Sequence, residues 1–546
     1  MAGSRWTRWR RASQICFLVL FLLLLVFTSL RGVPGATSDI HLWAPVRLFF
    51  EWDPLVAVAN VLAGHALYRG LLWSLIILLP TLFLGRFFCG WICPMGTLQH
   101  FVGNMPSESK RGKQRIESNR YKRWQTIKYV VLIAGLTAAA SGSMVIGWLD
   151  PFSLLVRSIG LAFLPAFNFA VRATLAPLEQ SHVAAIRETA DRIHSVLGAF
   201  LLDFRQAHFE QGLVLGILFT VILFASLRVT RLWCRSICPL GALLGAVSRW
   251  SVLGLHKDSA SCNNCNRCLL HCQGGDDPIG DAPWRKSECL MCMNCVGSCP
   301  DHALTFRFFR KEKEAASPDL GRRRTITGLA VGAAALPLLR ANTGLGKSRN
   351  ERLLRPPGAL DEPDFLARCI RCGECMKVCP NNALQPALTE AGLEGLWSPT
   401  LVPRIGYCEP SCVLCSEVCP TGAIWQITPK EKGWVVGVGA AHSQPVRLGT
   451  AFYDRGRCLP WAMATECIVC EEWCPVSPKA IYVEEAQVVD SAGNTKTLKQ
   501  PRVDPSRCVG CGACEYACPL QERPAVYVTS IGESRSPASQ ILLTRK

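Results

Sequence analysis

The hydrophobic pattern divides the chain into an apolar N-terminal part and a polar, cysteine-rich remainder. Long apolar runs, separated by polar or charged segments, occupy Gln14–Leu30, Ala66–Leu84, Ile127–Trp148 and Gly212–Leu227. Each run approaches the length that an α-helix needs to cross a bilayer, about 20 residues. A cleaved signal peptide is the alternative for the first run, but no convincing small-residue cleavage site follows it. The pattern therefore predicts an α-helical membrane bundle of four transmembrane helices.

The charges between the runs predict the orientation of this bundle. The N-terminus and the loop between the second and third runs are rich in Lys and Arg, and such segments remain in the cytoplasm. Asp53 and Asp150, each followed by proline, then lie on the exterior side. The apolar stretch Pro151–Val171 is interrupted by Arg157 and Pro165, so we expect it to lie in the membrane interface rather than to span.

The apolar part also contains an internal repeat. Each copy has a helix, an exterior Asp-Pro, a second helix and a Cys-x3-Cys-Pro motif at its cytoplasmic end. The two motifs lie in the matching segments Arg86–Gly96 and Arg231–Gly241. Because both copies share one orientation, we expect a pseudo-twofold axis along the membrane normal.

Composition narrows the class of protein. The 546 residues include 29 cysteines and 49% hydrophobic residues, with a formal net charge of +18. The hydrophobic content excludes a disordered chain, and the length excludes a small disulfide-stabilised scaffold. A basic excess is compatible with nucleic acid, an anionic membrane surface or acidic partners, so the cysteine spacing must decide.

Six cysteine motifs beyond the apolar part have the spacing of [4Fe–4S] sites. In such motifs three thiolates hold one cluster, and a fourth, usually before proline, reaches the other cluster of a pair. The predicted cluster ligands are, motif by motif, Cys262, Cys265, Cys268 and Cys272; Cys289, Cys292, Cys295 and Cys299; Cys369, Cys372, Cys375 and Cys379; Cys408, Cys412, Cys415 and Cys419; Cys458, Cys467, Cys470 and Cys474; and Cys508, Cys511, Cys514 and Cys518.

If the fourth cysteine of each motif binds the cluster of its partner motif, the ligand sets of the first two motifs are assigned. For the last four motifs the sequence does not determine which motifs are partners. The assigned sets are Cys262, Cys265 and Cys268 with Cys299, and Cys289, Cys292 and Cys295 with Cys272. Zinc is the alternative for clustered cysteines, but triples followed by Cys-Pro favour iron–sulfur. Ala followed by an aliphatic residue after most Cys-Pro pairs predicts a short strand. We therefore expect α+β ferredoxin-like modules that hold six [4Fe–4S] clusters.

Some motifs depart from the ideal spacing. Cys272 precedes glutamine rather than proline, Cys408 and Cys412 are one residue further apart, and a longer loop separates Cys458 from Cys467.

The five cysteines outside these motifs lie in the apolar part. Cys16, in the first run, is interpreted as a small buried apolar residue. The others form the two Cys-x3-Cys-Pro pairs, and a pseudo-twofold axis would bring their four thiols together as one metal or redox site. Redox-active disulfides and structural thiols remain alternatives. The candidate metal ligands are Cys89, Cys93, Cys234 and Cys238.

The remaining boundaries follow from linker composition. We assign residues 1–250 to the bundle, 251–310 to a cytoplasmic two-cluster ferredoxin, 311–360 to a linker and 361–546 to a four-cluster polyferredoxin. Within the linker, Arg323-Arg324-Thr325-Ile326 fits a twin-arginine export pattern, with a basic cluster before an ordinary amphipathic helix as the alternative. Export would place residues 361–546 in the periplasm.

Several motifs are absent from the sequence. There is no Cys-x-x-Cys-His for c-type haem, no histidine in the middle of an apolar run and no dinucleotide fingerprint. The segment Ala341–Ser348 resembles a phosphate-binding loop, but it follows no predicted strand. We therefore expect neither nucleotide nor nucleic acid as a partner.

With these motifs in place, the N-terminal half resembles the membrane-integral, quinol dehydrogenase ferredoxin subunit of periplasmic nitrate reductase systems. The twin-arginine segment and Cys369–Pro519 resemble the periplasmic ferredoxin subunit of those systems and its methylamine-utilisation relative. The resemblance implies a fusion of two subunits in the bacterial inner membrane. It implies transfer of electrons from the quinol pool to a periplasmic reductase or cytochrome, with Asp53 and Asp150 as candidate proton acceptors or, more simply, helix caps.

The alternative is an accessory iron–sulfur protein for assembly or reductive maturation of a respiratory metalloenzyme, because nitrous-oxide reductase and oxidase-assembly proteins share the Cys-x3-Cys-Pro bundle. Those oxidase-assembly relatives end in an all-β domain, whereas four further cysteine motifs follow here. The motifs therefore favour an electron conduit.

Overall fold

The computed structural model describes residues 5–29, 42, 45–65, 68–105, 112–203, 205–276, 284–309, 318, 320–344, 350–434, 444–489 and 492–535. Residues 311–317 of the predicted linker and residues 345–348 of the phosphate-loop-like segment lie outside these ranges. The chain forms two compact units. Unit 1 comprises Met1–Val26, Val46–Ala162 and Gly212–Leu338, and unit 2 comprises Phe27–Pro45, Phe163–Gln211 and Leu339–Lys546.

Helices and short strands alternate along the described chain. The helices are α1 (Arg5–Phe27), α2 (Leu48–Glu51), α3 (Pro54–Gly64), α4 (Leu75–Leu84), α5 (Phe87–Trp91), α6 (Pro94–Gly103), α7 (Gly112–Asn119), α8 (Ile127–Ala140), α9 (Pro151–Ser158), α10 (Leu164–Glu179), α11 (Ala184–Phe200), α12 (Gly212–Ala225), α13 (Leu232–Ser236), α14 (Pro239–Val247), α15 (Arg267–Leu270), α16 (Asn294–Ser298), α17 (Arg322–Gly344), α18 (Glu362–Arg368), α19 (Glu374–Lys377), α20 (Leu414–Glu417), α21 (Pro429–Lys432), α22 (Leu459–Ala462), α23 (Val469–Glu472) and α24 (Ala513–Ala517). The strands are β1 (Leu253–Lys257), β2 (Leu304–Phe308), β3 (Leu384–Pro386), β4 (Pro399–Leu401), β5 (Thr450–Tyr453), β6 (Ile481–Val489), β7 (Thr495–Val503) and β8 (Val526–Thr529).

The apolar runs all form helices, but their lengths differ from the prediction. Among the described residues, two helices are long and apolar enough to cross a membrane, Arg5–Phe27 and Pro151–Glu179. The helices Pro54–Gly64, Arg69–Leu84 and Gly212–Ala225 are apolar but shorter. The number of membrane spans therefore remains a prediction.

Pro151–Glu179 differs from the expected broken interfacial stretch. It is continuous because a π-helical turn at Ile159–Phe163 joins α9 to α10. Arg157 is fully buried and donates from Nη2 to the carbonyl of Trp148 at 3.2 Å, so its charge does not end the helix. Pro165 lies in the first turn of α10, where proline is tolerated.

The two repeats interlock within unit 1. The helix after the first Cys-Pro, α6, packs against α9 and α12 of the second repeat. The equivalent helix of the second repeat, α14, packs against α3 and α4 of the first. Each repeat thus completes the core of the other, as a pseudo-twofold relation requires.

Three two-motif modules are closed in the same way. In unit 1, β1 precedes the first cysteine motif and pairs antiparallel with β2, which follows the second. In unit 2, Ala359 and Ile424 form an antiparallel bridge around the third and fourth motifs, and β5 pairs with β8 around the fifth and sixth. This closure determines which motifs face each other.

Helix α17 carries the twin-arginine pattern and packs along α8. Gly328 faces Ile133, and Gly332 faces Ala134 and Thr137, where a built Cβ would come within 3.0 Å. Small residues at this spacing allow two helix backbones to approach closely. The contact residues move toward the C-terminal end of both helices from the first contact to the second, so α17 runs in the same direction as α8.

Candidate functional site

The cysteines of unit 2 collect into four groups of four. Three groups line small pockets that are partly open to solvent, and the members of the remaining group are electrostatic neighbours. We call the groups site 3 (Cys369, Cys372, Cys375, Cys419), site 4 (Cys379, Cys408, Cys412, Cys415), site 5 (Cys458, Cys467, Cys470, Cys518) and site 6 (Cys474, Cys508, Cys511, Cys514).

These groups answer the question that the spacing left open. The third motif exchanges its fourth cysteine with the fourth motif, and the fifth exchanges with the sixth. The antiparallel closures explain the choice, because each brings the chain before one motif back to the chain after its partner. Three thiols in each site come from one loop and the fourth from the paired motif, as in bacterial ferredoxins.

Unit 1 contains the corresponding pair. Four cysteines line a cavity of about 370 Å³, which we call site 2 (Cys272, Cys289, Cys292, Cys295). The remaining cysteines of the two motifs are Cys262, Cys265, Cys268 and Cys299, which we call site 1. Cys268 has Cys262 and Cys265 as electrostatic neighbours. Cys268 and Cys299 pack against the apolar cluster of Leu255, Trp284 and Leu304, which Cys289 and Cys295 of site 2 also contact. Site 1 is the more exposed, since Cys265 is exposed and Cys262 is half-buried.

The sites of unit 2 follow one another in space in an order that differs from the chain. Cys375 of site 3 is an electrostatic neighbour of Cys415 of site 4. The backbone N–H of Cys408 in site 4 donates to the carbonyl of Cys511 in site 6 at 2.9 Å. Cys514 of site 6 is a neighbour of Cys470 in site 5. The spatial order is therefore site 3, site 4, site 6, site 5.

The donor sets fit [4Fe–4S] clusters. Each site offers four sulfur atoms, the number that a cubane needs. Burial raises the pKa of the thiols to about 12 at Cys272, Cys412 and Cys511, so these side chains are neutral unless iron binds them. Among the described residues, no group of three or more His, Cys, Asp or Glu side chains is arranged to hold a single metal ion.

The unusual spacing of Cys408 and Cys412 accommodates a lysine. Lys432 is fully buried, and its Nζ lies 3.4 Å from the sulfur of Cys408. The same ammonium donates to the carbonyls of Glu409 and Cys412 at 2.6 and 2.8 Å. The extra residue lets the loop turn its carbonyls toward this cation, which sequence reasoning did not identify.

The long loop of the fifth motif is accompanied by a tyrosine. The hydroxyl of Tyr453, on β5, lies 3.0 Å from the sulfur of Cys470. Burial and the neighbouring thiol raise the pKa of Tyr453, so it keeps its proton and can donate to a thiolate.

The four cysteines of the Cys-x3-Cys-Pro motifs, which we call the bundle thiols (Cys89, Cys93, Cys234, Cys238), are all buried. Cys93 has Cys89 and Cys234 as electrostatic neighbours, and Cys238 has the other three. The interlocked repeats thus bring the four thiols together. The backbone N–H of Gly241 donates to the sulfur of Cys238 at 3.2 Å, so this thiol also caps α14.

Two arginines at equivalent positions cross between the repeats. We call Arg86 and Arg231 the exchanged arginines. Arg231 donates from Nη1 to the carbonyl of Cys89 at 2.7 Å and lies over Gly96, where a built Cβ would be 3.1 Å from Nη1. Arg86 lies over the equivalent Gly241, where a built Cβ would be 2.9 Å from Nη2. Glycine in both Cys-Pro-x-Gly sequences leaves room for the arginine of the other repeat.

Site 2 sits directly on this part of the bundle. Arg86 donates from Nη1 to the carbonyl of Ser287 at 2.7 Å, and Trp91 donates from Nε1 to the carbonyl of Met291 at 2.9 Å. Lys128 of α8 forms a buried ion pair with Glu288 at 2.5 Å. The loop that carries Cys289 and Cys292 is therefore bound to the end of the bundle.

The two Asp-Pro aspartates meet inside the bundle. Asp53 accepts from the N–H groups of Leu55 and Val56, and Asp150 accepts from that of Ser153, so both cap helices as their simpler interpretation expects. Both side chains are fully buried, and the two carboxyl groups are electrostatic neighbours. The aspartates of the two repeats therefore form one buried carboxyl pair.

Paired cysteine sites of this kind, built from three thiols of one motif and one of its partner, define an iron–sulfur electron carrier of the ferredoxin type. Family models agree. A 4Fe-4S binding domain model matches residues 66–114 and 211–257, a further 4Fe-4S binding domain model matches 365–385, and the 4Fe-4S dicluster domain matches 442–521.

Curated relatives identify the family. The ferredoxin-type protein NapG of Escherichia coli (strain K12) is 34% identical over 228 residues, which cover 39% of this chain and 87% of NapG. The methylamine utilization ferredoxin-type protein MauM of Methylorubrum extorquens is 35% identical over 175 residues, 31% of this chain and 69% of MauM. YccM of E. coli, named provisionally as an electron transport protein, is 26% identical over 304 residues, 54% of this chain and 73% of YccM.

The chain belongs to the ferredoxin-type [4Fe–4S] protein family of NapG and MauM. This confirms the resemblance on which the expected function was based. No solved structure matches the chain.

Proposed function

We propose that the chain is a membrane-bound polyferredoxin with six [4Fe–4S] clusters, which transfers electrons from the quinol pool to a periplasmic reductase. The observation that carries the proposal is the pair of buried carboxyl groups, Asp53 and Asp150, between the two apolar repeats. Quinol oxidation releases two protons with two electrons, and an ionised carboxyl group of this pair is suited to accept those protons one at a time. A bound [4Fe–4S] cluster supplies one-electron chemistry.

An aromatic contact links this carboxyl pair to the bundle thiols. The ring of Phe152, two residues after Asp150, lies 6.2 Å from the ring of Phe88, which precedes Cys89. Phe49 packs against the same Phe152 at 5.6 Å. These side chains exclude water around the carboxyls, so a proton received there has few alternative acceptors.

Hydrogen bonds within unit 2 bind the cysteine-rich module to the segment that precedes α12. Within unit 2, Asn382 and Gln385 donate to the carbonyl of His208 at 2.6 and 3.0 Å, and Gln211 donates to the carbonyl of Pro386 at 2.8 Å. Residue 211 directly precedes α12, whose other end leads to Cys234. Within unit 1, α17 runs in the direction of α8, away from the cytoplasmic loop that precedes α8.

The proposed membrane arrangement rests on the apolar runs, the positive loop and the twin-arginine pattern of the sequence. The four apolar runs span, the positive loop is cytoplasmic, and residues 361–546 are periplasmic. Long apolar side chains of the short helices, such as Leu213, Val221 and Phe224 of α12, are more than half exposed. Lipid would cover such side chains in a span.

Quinol-driven reduction of the full-length protein tests the proposal. The anaerobically purified protein in liposomes is mixed with a reduced menaquinone analogue, and cluster reduction is followed by EPR. We expect reduction at a rate that falls at least tenfold in Asp53→Asn and Asp150→Asn, with the exposed Asp191→Asn as the matched control. Clusters that dithionite reduces but quinol does not would overturn the quinol assignment and favour an accessory assembly role.

The orientation has its own test. A peptide tag after Lys546 should be cleaved by protease added to intact spheroplasts, whereas a tag before Met1 should be protected until the membrane is broken. Protection of the C-terminal tag would overturn the periplasmic assignment.

A further inference from the structure

The bundle thiols have no place in the six cysteine sites described above. They are buried in unit 1 between two repeats, and each repeat supplies two of them from one Cys-x3-Cys-Pro motif. The two residue ranges that the first 4Fe-4S binding domain model matches, 66–114 and 211–257, contain two cysteines each. Two thiolates are half of the ligand set of a cluster, so neither range could hold one alone.

The exchanged arginines point unused donors at these thiols. Arg86 and Arg231 are fully buried, and in each the Nε and Nη2 atoms have no hydrogen-bond partner. A point 2.9 Å from Nη2 of Arg86 is also 3.5 Å from the sulfur of Cys238, so the donor and the thiol adjoin the same space. Buried unpaired N–H groups of a guanidinium are costly, which indicates that a negatively charged group belongs there.

The charges of this arrangement balance only when the thiols carry a metal. Two buried guanidiniums supply a charge of about 2+. An oxidised iron–sulfur cluster with four thiolates carries about 2−. With four neutral thiols, Glu288 would be the neighbouring anion of Arg86, and Glu288 already pairs with Lys128. Buried cations without enough opposing charge are costly.

A single metal ion with four thiolates would also carry about 2−, so the charge does not separate an ion from a cluster. The 4Fe-4S binding domain model that matches both residue ranges favours a cluster. The iron, sulfide and zinc contents distinguish the two.

We propose that the bundle thiols together hold one iron–sulfur cluster, shared between the two repeats, and that the exchanged arginines balance its charge. The cluster would lie beside site 2, because Trp91, between Cys89 and Cys93, donates to the backbone next to Cys292. This goes beyond the proposed function, since it concerns a seventh site that the six cysteine motifs do not include.

Iron and acid-labile sulfide per chain test this inference in the full-length protein purified without oxygen. The double variant Cys93→Ser, Cys238→Ser should lose about two or about four iron atoms, with equal sulfide, for a two-iron or a four-iron cluster. The six other sites should keep their EPR signals. Cys16→Ser is the matched control, because Cys16 lies outside every group and is exposed on α1, contrary to the buried position expected from the sequence.

Unchanged iron in the double variant overturns the proposal, as does one zinc per chain that the variant loses. If the variant does not accumulate, the wild-type protein still decides. Iron above about 24 atoms per chain at full occupancy requires a seventh cluster, and about 24 excludes it. Neither result depends on quinol, so failure of the proposed electron donor would leave this measurement intact.

Discussion

The ferredoxin modules and the helical bundle both pair two copies of a cysteine motif, but they exchange different groups. In sites 3 and 4 each motif lends its fourth cysteine to its partner, so Cys379 and Cys419 change places. In the bundle each repeat keeps its two thiols and lends an arginine, so Arg86 and Arg231 change places. The first exchange moves a ligand, and the second moves a counter-charge.

The difference follows from the number of thiols per motif. A loop with three cysteines nearly completes one ligand set, so a single exchanged residue finishes it. A Cys-x3-Cys-Pro motif at a helix N-terminus provides only two, so in the proposed bundle site the partner motif supplies the other half. The modules can therefore fail one site at a time, whereas damage to either repeat removes the whole bundle site.

The largest effect should come from breaking the ligand exchange in unit 2. Cys379→Ser and Cys412→Ser serve the same site, so the double variant should lose about four iron atoms, no more than either single variant. Cys379→Ser with Cys372→Ser serves two sites and should lose about eight. Quantitation of iron per chain measures the loss in both double variants. The reverse pattern would mean that each motif keeps its own four cysteines.

A smaller effect should come from removing one exchanged arginine. Arg231→Gln loses the hydrogen bond to Cys89 and half of the counter-charge, and we expect unfolding free energy to fall by about 1–3 kcal/mol. The iron content per chain should fall by no more than the two or four atoms of the proposed bundle cluster. Thermal unfolding with iron quantitation checks this, and Arg249→Gln, on the half-exposed turn after α14, should change neither value.

Glycine substitutions should separate the two repeats further. A Cβ at Gly96 would lie 2.8 Å from the carbonyl of Cys89, whereas at Gly241 the closest backbone atom is 3.4 Å away. We expect Gly96→Ala to destabilise by about 1–3 kcal/mol and Gly241→Ala by less. Gly198→Ala on α11, where nothing lies within 4 Å, should be neutral or stabilising. Equal losses at Gly96 and Gly241 would contradict the asymmetry.

The smallest effect should be a change in the reduction potential of site 4. Lys432→Met removes a buried cation beside Cys408, so the reduction potential of site 4 should become lower by an amount on the order of tens of millivolts. Potentiometric EPR titration measures the change. Lys430→Met, on the exposed side of α21, should leave the potential where it was.

Much of the ligand chemistry was accessible from spacing, because cluster ligands are local in sequence. The partner of each motif was not, because antiparallel closures such as that of β5 with β8 join residues far apart in the chain. The exchanged arginines had a signal in the sequence, since Arg86 and Arg231 begin the two matching segments. Their crossing could not be predicted, because it depends on how the repeats interlock.

The helical bundle shows the same limit. The Asp-Pro sequences predict that Asp53 and Asp150 cap helices. That the two side chains lie next to each other depends on how the two repeats pack. Pro151–Glu179 was expected to break at Arg157 because a charge is costly in an apolar helix. A backbone carbonyl satisfies that charge in the folded chain, and no local pattern shows it.

The exposure of site 1 sets the order in which the protein should fail in air. Oxidants reach a cluster through solvent, and Cys265 is the exposed ligand among the twenty-four of the cysteine sites. Oxygen should therefore bleach this cluster before the buried sites of unit 2. The same exposure shortens the distance to any external redox partner, so the most vulnerable site is also the most accessible one for electron exchange.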